Sequence, residues 1–409
     1  MSLAELPLFF ALTGVAMYAV LAGADFGAGI WQLLAGRGEP GRRIRNHAHH
    51  SMSPVWEANH VWLIFVLVVL WTAYPIAFSS MASTLAVALA VAGLGIILRG
   101  TAYALRSGTN TDAEARVVDT VAAVGSLITP FALAAAAGGI ASQRVPVGNA
   151  AGDLFASWLN PTSIMMGILA ILSSAYLAAV YLAADARRGG DPALVESFRR
   201  RALIVGVLAG AQAIASGFVL RADARALFDG MVSMPAVLSA GASIVAGSAT
   251  IALVARRRLN GARVTAAIAV SGIIGAWALA QNPILLPGLT VQQAAAPDSA
   301  LLPLVIAIVA GGFVLFPAIA ILFRLALGGT FSSTAQKRQT TSHATTPTGA
   351  RRIATGRGAA AMLAVGTPSL VIGEADWTHA VGVITLCAFV VLAFCAIDPG
   401  ASKEDNSVP

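Results

Sequence analysis

Long apolar segments follow one another along most of the chain, separated by short polar stretches. A transmembrane helix needs about 20 consecutive apolar residues, because each residue adds about 1.5 Å across a hydrocarbon core of about 30 Å. The pattern therefore predicts an all-α polytopic membrane protein. Its nine predicted transmembrane helices cover residues 7–34, 55–76, 79–105, 117–140, 161–184, 201–220, 232–255, 264–281 and 300–325.

The last part of the chain breaks this pattern. From about residue 330 to 358 serine, threonine and arginine dominate, and a segment this polar cannot bury a core, which predicts disorder. Residues 379–397 are apolar again and form a tenth candidate span. We therefore predict a transmembrane domain at 1–327, a disordered cytoplasmic segment at 328–377, and an extra helix with a short tail at 378–409.

Composition agrees with a membrane protein and excludes several other classes. The 409 residues are 57% hydrophobic and 11% charged, whereas soluble domains have about 25% charged residues. The net charge of +7 does not indicate a nucleic-acid partner, because the basic residues are spread over short loops. The two cysteines, Cys387 and Cys395, lie in one apolar run, which excludes a disulfide framework. We expect no cleavable signal, since the first apolar run is too long for a signal core.

Arginines alternate between the two sides of the predicted membrane. Loops after the first, third, fifth and seventh spans are rich in arginine, and by the positive-inside rule they are cytoplasmic, which places the N-terminus outside. The cytoplasmic set is Arg37, Arg42, Arg43, Arg45, Arg99, Arg106, Arg116, Arg187, Arg188, Arg199, Arg200, Arg201, Arg256, Arg257, Arg258 and Arg263, against Arg144, Arg221 and Arg225 on the other side.

Two carboxylates stand within this apolar sequence. Asp25 interrupts the first span, about 13 Å along the helix from its cytoplasmic end, and Glu57 opens the second, with His60 one turn deeper. Charges in hydrocarbon are costly and usually serve ions, protons or substrates, so Asp25, Glu57 and His60 could relay protons. In the alternative, Glu57 pairs with an arginine of the loop at 42–45 and His60 is a packed interfacial residue.

Other polar and small residues near these acids have structural explanations beside functional ones. Gly23 and Gly27 form a GxxxG pattern that would let another helix approach Asp25 closely. Trp56 and Trp62, on either side of Asn59, are typical of an aromatic belt or of helix packing.

Arg99 and Tyr103 share a stripe with Arg106, and they either contact a head group, a quinone or a haem propionate of a partner, or simply snorkel to the interface. Asp119 is an acid at a helix N-terminus, which is favourable without any function.

The histidines do not match a haem-binding bundle. Membrane haems need axial ligands on helices, but His47, His49 and His50 lie in a predicted loop, and His343 lies in the polar tail. Only His60 and His379 lie near spans. The sequence also has no phosphate-binding loop, dinucleotide fingerprint or HExxH zinc site. We therefore expect no metal site and no complete active site on this chain.

Several motifs together resemble subunit II of the cytochrome bd quinol oxidases, including the cyanide-insensitive branch, over about residues 5–327. They are Ala22-Gly-Ala-Asp25-Phe-Gly27, Trp56-Glu57-Ala-Asn59-His-Val-Trp62-Leu63-Ile64, Leu98-Arg99-Gly100, Ser157-Trp-Leu-Asn-Pro161, Asn282-Pro-Ile-Leu-Leu-Pro287 and the Ala294–Pro297 stretch. Asp25 matches the second acid of the family's DGFD motif and Glu57 the acid of its W-D/E-x-N motif. The first acid of DGFD is Ala22 in this chain, so any relay through that position is absent or rerouted.

The resemblance implies two four-helix bundles plus a peripheral helix in a prokaryotic cell membrane. It implies pairing with a subunit I that holds two b-type haems and one d-type haem, in a complex that oxidises quinol, reduces dioxygen to water and takes protons from the cytoplasm. In that family, subunit II stabilises subunit I and lends acids to a proton path. Quinol and membrane lipid are the other expected partners, and a quinone site in this chain and a small accessory subunit are left open.

Two other functions stay open from the residues alone. A proton-coupled secondary transporter also keeps acids near the bilayer midplane, although the broken helices and repeats typical of transporters are not evident. In a purely structural scaffold, both acids would merely be satisfied by hydrogen bonds.

Overall fold

The computed structural model of the chain describes residues 2–52, 56–106 and 112–327, with scattered positions between 358 and 388. The side chains of 50, 52–58, 106, 112, 113, 115, 316 and 318–327 lie outside that description. Most of the polar segment at 328–377 and of the tenth candidate span at 379–397 also lies outside it, so both stay predictions.

Within the described residues the fold is helical, as predicted, apart from one small hairpin. In chain order the elements are α1 (Leu6–Leu33), α2 (Gly38–Met52), α3 (Trp56–Ala73), α4 (Pro75–Thr84), α5 (Ala86–Arg106), α6 (Asp112–Ala141), α7 (Pro161–Arg188), α8 (Pro192–Asp223), α9 (Arg225–Gly230), α10 (Met234–Ala255), α11 (Leu259–Gln281), β1 (Ile284–Leu286), β2 (Leu289–Thr290), α12 (Val291–Ala294) and α13 (Asp298–Leu327). β1 and β2 pair antiparallel.

Within the described residues, eight helices are long and apolar enough to cross a membrane. They are α1, α5 to α8, α10, α11 and the first part of α13, while α3 contributes a shorter apolar helix at Asn59–Ala73. An all-α polytopic membrane fold is therefore confirmed, and the count of nine spans stays a prediction.

Helix contacts in the unit Met1–Phe313 fall into two groups of four. In the first, α1 packs against α3 and α6, and α5 packs against α6; in the second, α7 packs against α8 and α11, and α10 against α8 and α11. Two helices join the groups, α1 through its contacts with α7 and α11 and α6 through its contact with α7. The second compact unit, Val314–Pro409, holds the end of α13 and the scattered positions beyond it.

The boundary between the second and third predicted spans is wrong. The helices break at Tyr74 and at Leu85, rather than between residues 76 and 79. Proline lacks an N–H and clashes with the preceding turn, so Pro75 begins α4 instead of continuing α3. The Tyr74 hydroxyl fixes this break, because it donates to the Ala4 carbonyl (2.5 Å) and accepts from the Leu8 N–H (3.0 Å).

The segment predicted as a loop with three histidines is the helix α2. Ile44 and Ala48 are buried one turn apart, so α2 has one narrow apolar face although most of its residues are polar. The side chain of His47 bonds to the Leu182 carbonyl through Nε2 (3.0 Å) and packs on Phe198 (ring centroids 5.7 Å apart). α2 is thereby held against α7 and α8.

Arginine-containing segments that are distant in sequence meet at one end of this unit. Arg43 of α2 pairs with Asp191 at 2.5 Å, Arg257 pairs with Glu196 at 3.4 Å, and Arg187 also donates to the Arg257 carbonyl. We call this end, with α2, the α7–α8 turn and the α10–α11 turn, the arginine-rich end. The gathering agrees with the predicted alternation of loops, and the orientation in a membrane stays a prediction.

Asp191 gives the first testable prediction, because it caps α8 and anchors α2. Its carboxylate accepts hydrogen bonds from the Leu194 and Ala193 N–H groups (3.1 Å each). These bonds lower the pKa of Asp191, mainly through Leu194, and the pairing with Arg43 lowers it further. A lowered carboxylate pKa stabilises the fold above the ordinary value of about 3.9, and the stabilisation is lost as the pH falls. Asp191→Ala should cost about 1 kcal/mol near pH 7.

Asp191→Asn is the matched control, since asparagine also caps helices but cannot pair with Arg43. It should lose less stability than Asp191→Ala, and the deficit of both variants should shrink below pH 4. Thermal unfolding of the detergent-solubilised protein from pH 7 to pH 3 measures this. Equal stability of wild type and Asp191→Ala at pH 7 would show that the cap contributes nothing.

Candidate functional site: a buried ion pair beside a small cavity

Asp25 of α1 and Arg99 of α5 form a buried ion pair. Arg99 donates from Nε to Oδ2 of Asp25 (2.9 Å) and from Nη2 to Oδ1 (2.5 Å) and to the Asp25 carbonyl (2.8 Å). Asp25 is 3% exposed and Arg99 is 8% exposed. A bidentate arginine–carboxylate contact of this kind is among the strongest polar interactions in proteins, and it fixes the orientation of the guanidinium plane and of the carboxylate plane.

Ser126 of α6 completes the pair. Its hydroxyl accepts a short hydrogen bond from Nη1 of Arg99 and donates to the Ala122 carbonyl of its own helix (2.7 Å). The face of Phe26 lies 5.7 Å from the guanidinium carbon of Arg99, within cation–π range. Three helices, α1, α5 and α6, are therefore joined by one guanidinium group.

This geometry corrects the interpretation of Arg99. We considered snorkelling to the membrane interface as the simpler explanation, and it is wrong because the side chain is directed inward and buried. Sequence alone shows no basic residue near Asp25, since its partner lies 74 residues away. A contact of Arg99 or Tyr103 with a head group, a quinone or a haem propionate of a partner stays a prediction.

Two glycines of α1 permit the close approaches around Asp25. A Cβ at Gly29 would lie 2.6 Å from Nη1 of Arg99 and closer still to Ser126, so only glycine admits the guanidinium at this position. A Cβ at Gly27 would overlap the Ser174 carbonyl of α7. Gly23 is less tightly packed, since a Cβ there would lie 3.4 Å from Leu177 of α7. The GxxxG pattern therefore allows the close approach of α7, while Gly29 allows the close approach of Arg99, the partner of Asp25.

α3 packs against α1 and contributes polar residues of the predicted relay. Asn59 is 1% exposed and donates weakly to the Leu21 carbonyl (3.4 Å), and the His60 ring lies 6.2 Å from the Tyr18 ring. Tyr18 and His60 both lie within electrostatic range of Asp25 and Arg99. Among the described residues, no hydrogen-bond partner reaches the Tyr18 hydroxyl or Oδ1 of Asn59.

The remaining predicted site residues are placed in part. Trp62 packs against the cluster of Tyr18, Ala22 and Phe26, which agrees with a helix-packing role. The side chains of Trp56 and Glu57 lie outside the described residues. The ladder Glu57–His60–Asp25 and the alternative pairing of Glu57 with an α2 arginine therefore stay predictions.

A small cavity adjoins the ion pair on its other side. It has a volume of about 30 Å³ and is lined by residues from α1, α2, α5 and α6. Among the described residues, its lining consists of Asp25, Gln32, Ala48, His49, Arg99, Ala102, Tyr103, Val118, Asp119 and Ala122. The rings of His49 and Tyr103 lie 5.3 Å apart. One water needs about 10–15 Å³ measured this way, so the cavity has room for about two waters.

The groups that could hold a cofactor are few among the described residues. Nε2 of His47 is bonded to the Leu182 carbonyl. No group of three or more histidine, cysteine, aspartate or glutamate side chains that could hold a metal ion occurs in the described part of the chain.

Comparison with known proteins identifies the family. A family model described as cytochrome bd terminal oxidase subunit II matches residues 3–326. The chain belongs to this family. The resemblance of its motifs over about residues 5–327 is thereby confirmed.

Individual members of the family are distant from this chain. It is 26% identical over 227 residues to a Bacillus subtilis protein provisionally named cytochrome bd menaquinol oxidase subunit II, covering 54% of this chain and 63% of that one. It is 27% identical over 177 residues to the cytochrome bd-I ubiquinol oxidase subunit 2 of Escherichia coli K12, covering 40% and 44%. The matches thus span less than two thirds of these relatives.

A solved structure shares the fold of this cytochrome bd subunit II family member. The structure is that of the bd oxidase from Geobacillus thermodenitrificans, with a TM-score of 0.65 at 23% identity over 80% of this chain and 99% of the matched chain. At this identity the likeness supports the fold only.

Sequence reasoning missed four residues of the site: Gln32, His49, Asp119 and Ser126. His49 was assigned to a loop and Asp119 to a helix N-terminus, while Gln32 and Ser126 were not singled out. A signal existed in the spacing, because Gln32 follows Asp25 by seven residues and Asp119 precedes Ser126 by seven. Residues seven apart share one helix face, so each pair forms a polar stripe.

The ion pair gives the second prediction. Arg99→Met leaves the Asp25 carboxylate buried without a counter-charge, and breaking a buried pair in this way should cost about 3–5 kcal/mol. The double variant Asp25→Leu with Arg99→Met removes both charges, so it should recover most of that loss. Thermal unfolding and the folded fraction on size-exclusion chromatography measure both variants. Equal stability of Arg99→Met and wild type would show that the pair is not a structural link.

The close approach at Gly29 gives the third prediction. Gly29→Ala should displace Arg99 or Ser126 and cost about 1–3 kcal/mol through overpacking. Gly93 of α5 is the control, because a Cβ there meets nothing within 4 Å, and Gly93→Ala should be neutral or gain up to about 1 kcal/mol. The melting temperatures of the two variants should differ in this direction, and the same value for both would contradict the packing argument.

Proposed function

We propose that this chain is subunit II of a membrane-bound quinol:oxygen oxidoreductase that pairs with a haem-bearing subunit I and conducts protons from the arginine-rich end toward it. Membership of the cytochrome bd subunit II family supports the assembly. The observation that carries the proton path is the cavity that reaches the buried Asp25 carboxylate from the arginine-rich end.

The proposed chemistry is proton transfer only. A water in the cavity passes a proton to a carboxylate oxygen of Asp25 and takes a proton from the next water toward the bulk, so the relaying water is restored. The protonated acid then has a weaker contact with Arg99. The proton is then released toward Tyr18 and His60, whose rings lie 6.2 Å apart, and the contact between Asp25 and Arg99 forms again. Electron transfer and oxygen reduction are assigned to the haems expected on subunit I.

A scaffold function is the second candidate, and the ion pair itself favours it. Both oxygens of Asp25 accept hydrogen bonds from Arg99, so the acid has a sufficient structural reason to exist. In that case Asp25 stabilises the fold and carries no proton. The two functions differ in what Asp25→Asn does to turnover once the complex has assembled.

The test uses the chain co-expressed with its haem-bearing partner and purified gently. We expect Asp25→Asn to retain part of the haem absorption and to reduce the rate of oxygen consumption per haem by on the order of tenfold or more. Asp25→Glu, which keeps a carboxylate, should recover part of the rate. Asp229→Asn is the control, because Asp229 lies on α9, exposed and away from the cavity.

The possible results separate the candidates. Unchanged turnover per haem in Asp25→Asn would leave only the scaffold function. A colourless chain that purifies alone, with no haem-bearing partner and no quinol oxidase activity, would overturn the assembly itself.

A further inference from the structure

The cavity beside the ion pair opens toward the arginine-rich end. Asp25 and Arg99 at its inner side are nearly fully buried, whereas His49, Tyr103 and Asp119 are only partly buried. Exposure therefore increases from the pair outward, which identifies His49, Tyr103 and Asp119 as the outer lining.

Helix geometry places Gln32, Tyr103 and Asp119 toward the same end of the cavity. Gln32 lies seven residues beyond Asp25 on α1, Tyr103 lies four beyond Arg99 on α5, and Asp119 lies seven before Ser126 on α6. α5 and α6 run in opposite directions, because Arg99 bonds to Ser126 while the later Thr129 bonds to the carbonyl of the earlier Ala92, so all three displacements point to the same end. At about 1.5 Å per residue, the polar lining extends about 6–10 Å from the pair.

The fourth wall of the cavity is α2, which presents His49 beside Ala48. α2 is held in place by the buried Ile44, by the bond from His47 to the Leu182 carbonyl and by the Arg43–Asp191 pair. His49 is thus positioned by a packed helix, and its ring lies 5.3 Å from that of Tyr103.

The geometry points to His49 and Asp119 as the entrance of the proton route, with water and the protons it carries as the ligand of the cavity. A carboxylate and an imidazole can each take a proton from bulk water and pass it to a bound water. This inference rests on the proposed function and adds a location to it. Protons would enter between α2, α5 and α6.

Hydration of the cavity can be tested without any oxidase activity. Ala122 lines the cavity, whereas its neighbour Ala123 is 0% exposed and is not among the lining residues. In a background with Cys387→Ser and Cys395→Ser, the Ala122→Cys thiol should react with hydrogen peroxide, a reagent little larger than water, because the reaction needs a hydrated thiolate. Ala123→Cys should react at least about tenfold more slowly.

The role of the entrance residues is tested in the assembled complex. Asp119→Asn combined with His49→Gln removes both proton acceptors, and it should slow oxygen consumption and proton uptake per haem by on the order of tenfold. Asp119→Glu should keep most of the rate, because it keeps a carboxylate that can accept a proton. A merely structural effect of substitution would not depend on keeping the carboxylate.

The results distinguish this inference from the proposed function. If Asp25→Asn slows turnover but the His49 and Asp119 double variant does not, the entrance lies elsewhere and the proton path stands. An Ala122→Cys thiol that reacts no faster than Ala123→Cys would show a dry cavity and would overturn the inference on its own. If Asp25→Asn leaves turnover unchanged, the proposed proton path fails, whatever the reactivity of the Ala122→Cys thiol.

Discussion

The ion pair between Asp25 and Arg99 is the constraint on which the arrangement of the first helices depends. Each charge loses several kcal/mol of hydration on burial, so the pair is tolerated only if its geometry is close to ideal. The guanidinium meets this condition by bonding to both carboxylate oxygens, to the Asp25 carbonyl and to Ser126. α1, α5 and α6 must therefore lie within hydrogen-bond distance of one group, and Gly29 is the residue of α1 that lets them do so.

The same pair divides two different environments. On one side, toward the arginine-rich end, lie Gln32, Tyr103 and Asp119 around a cavity large enough for water. On the other side, aromatic rings and the polar atoms of Tyr18 and Asn59 fill the contact between α1 and α3. An acid at such a boundary can act as an anchor, because its bonds to Arg99 hold the helices together. It can also act as a carrier of protons, because it lies between the two environments.

The sequence was sufficient for those features that depend on one segment alone. Apolar runs predicted the spans because burial of a helix in lipid requires a minimum length, and Asp25 was conspicuous because a charge in such a run is costly. The partner of Asp25 was not predictable in the same way, since Arg99 reaches it only through tertiary packing. α2 was missed because its apolar face consists of little more than Ile44 and Ala48, a signal weaker than the surrounding charges.

The position of the cavity also bears on the two acids first noticed in the sequence. A single ladder from Glu57 through His60 to Asp25 requires that protons approach Asp25 along α3. The cavity, however, reaches Asp25 from between α2, α5 and α6, on the other side of the pair. If water enters there, His60 and Tyr18 lie beyond Asp25 rather than before it. Asp25 then stands between the entrance and the α3 residues.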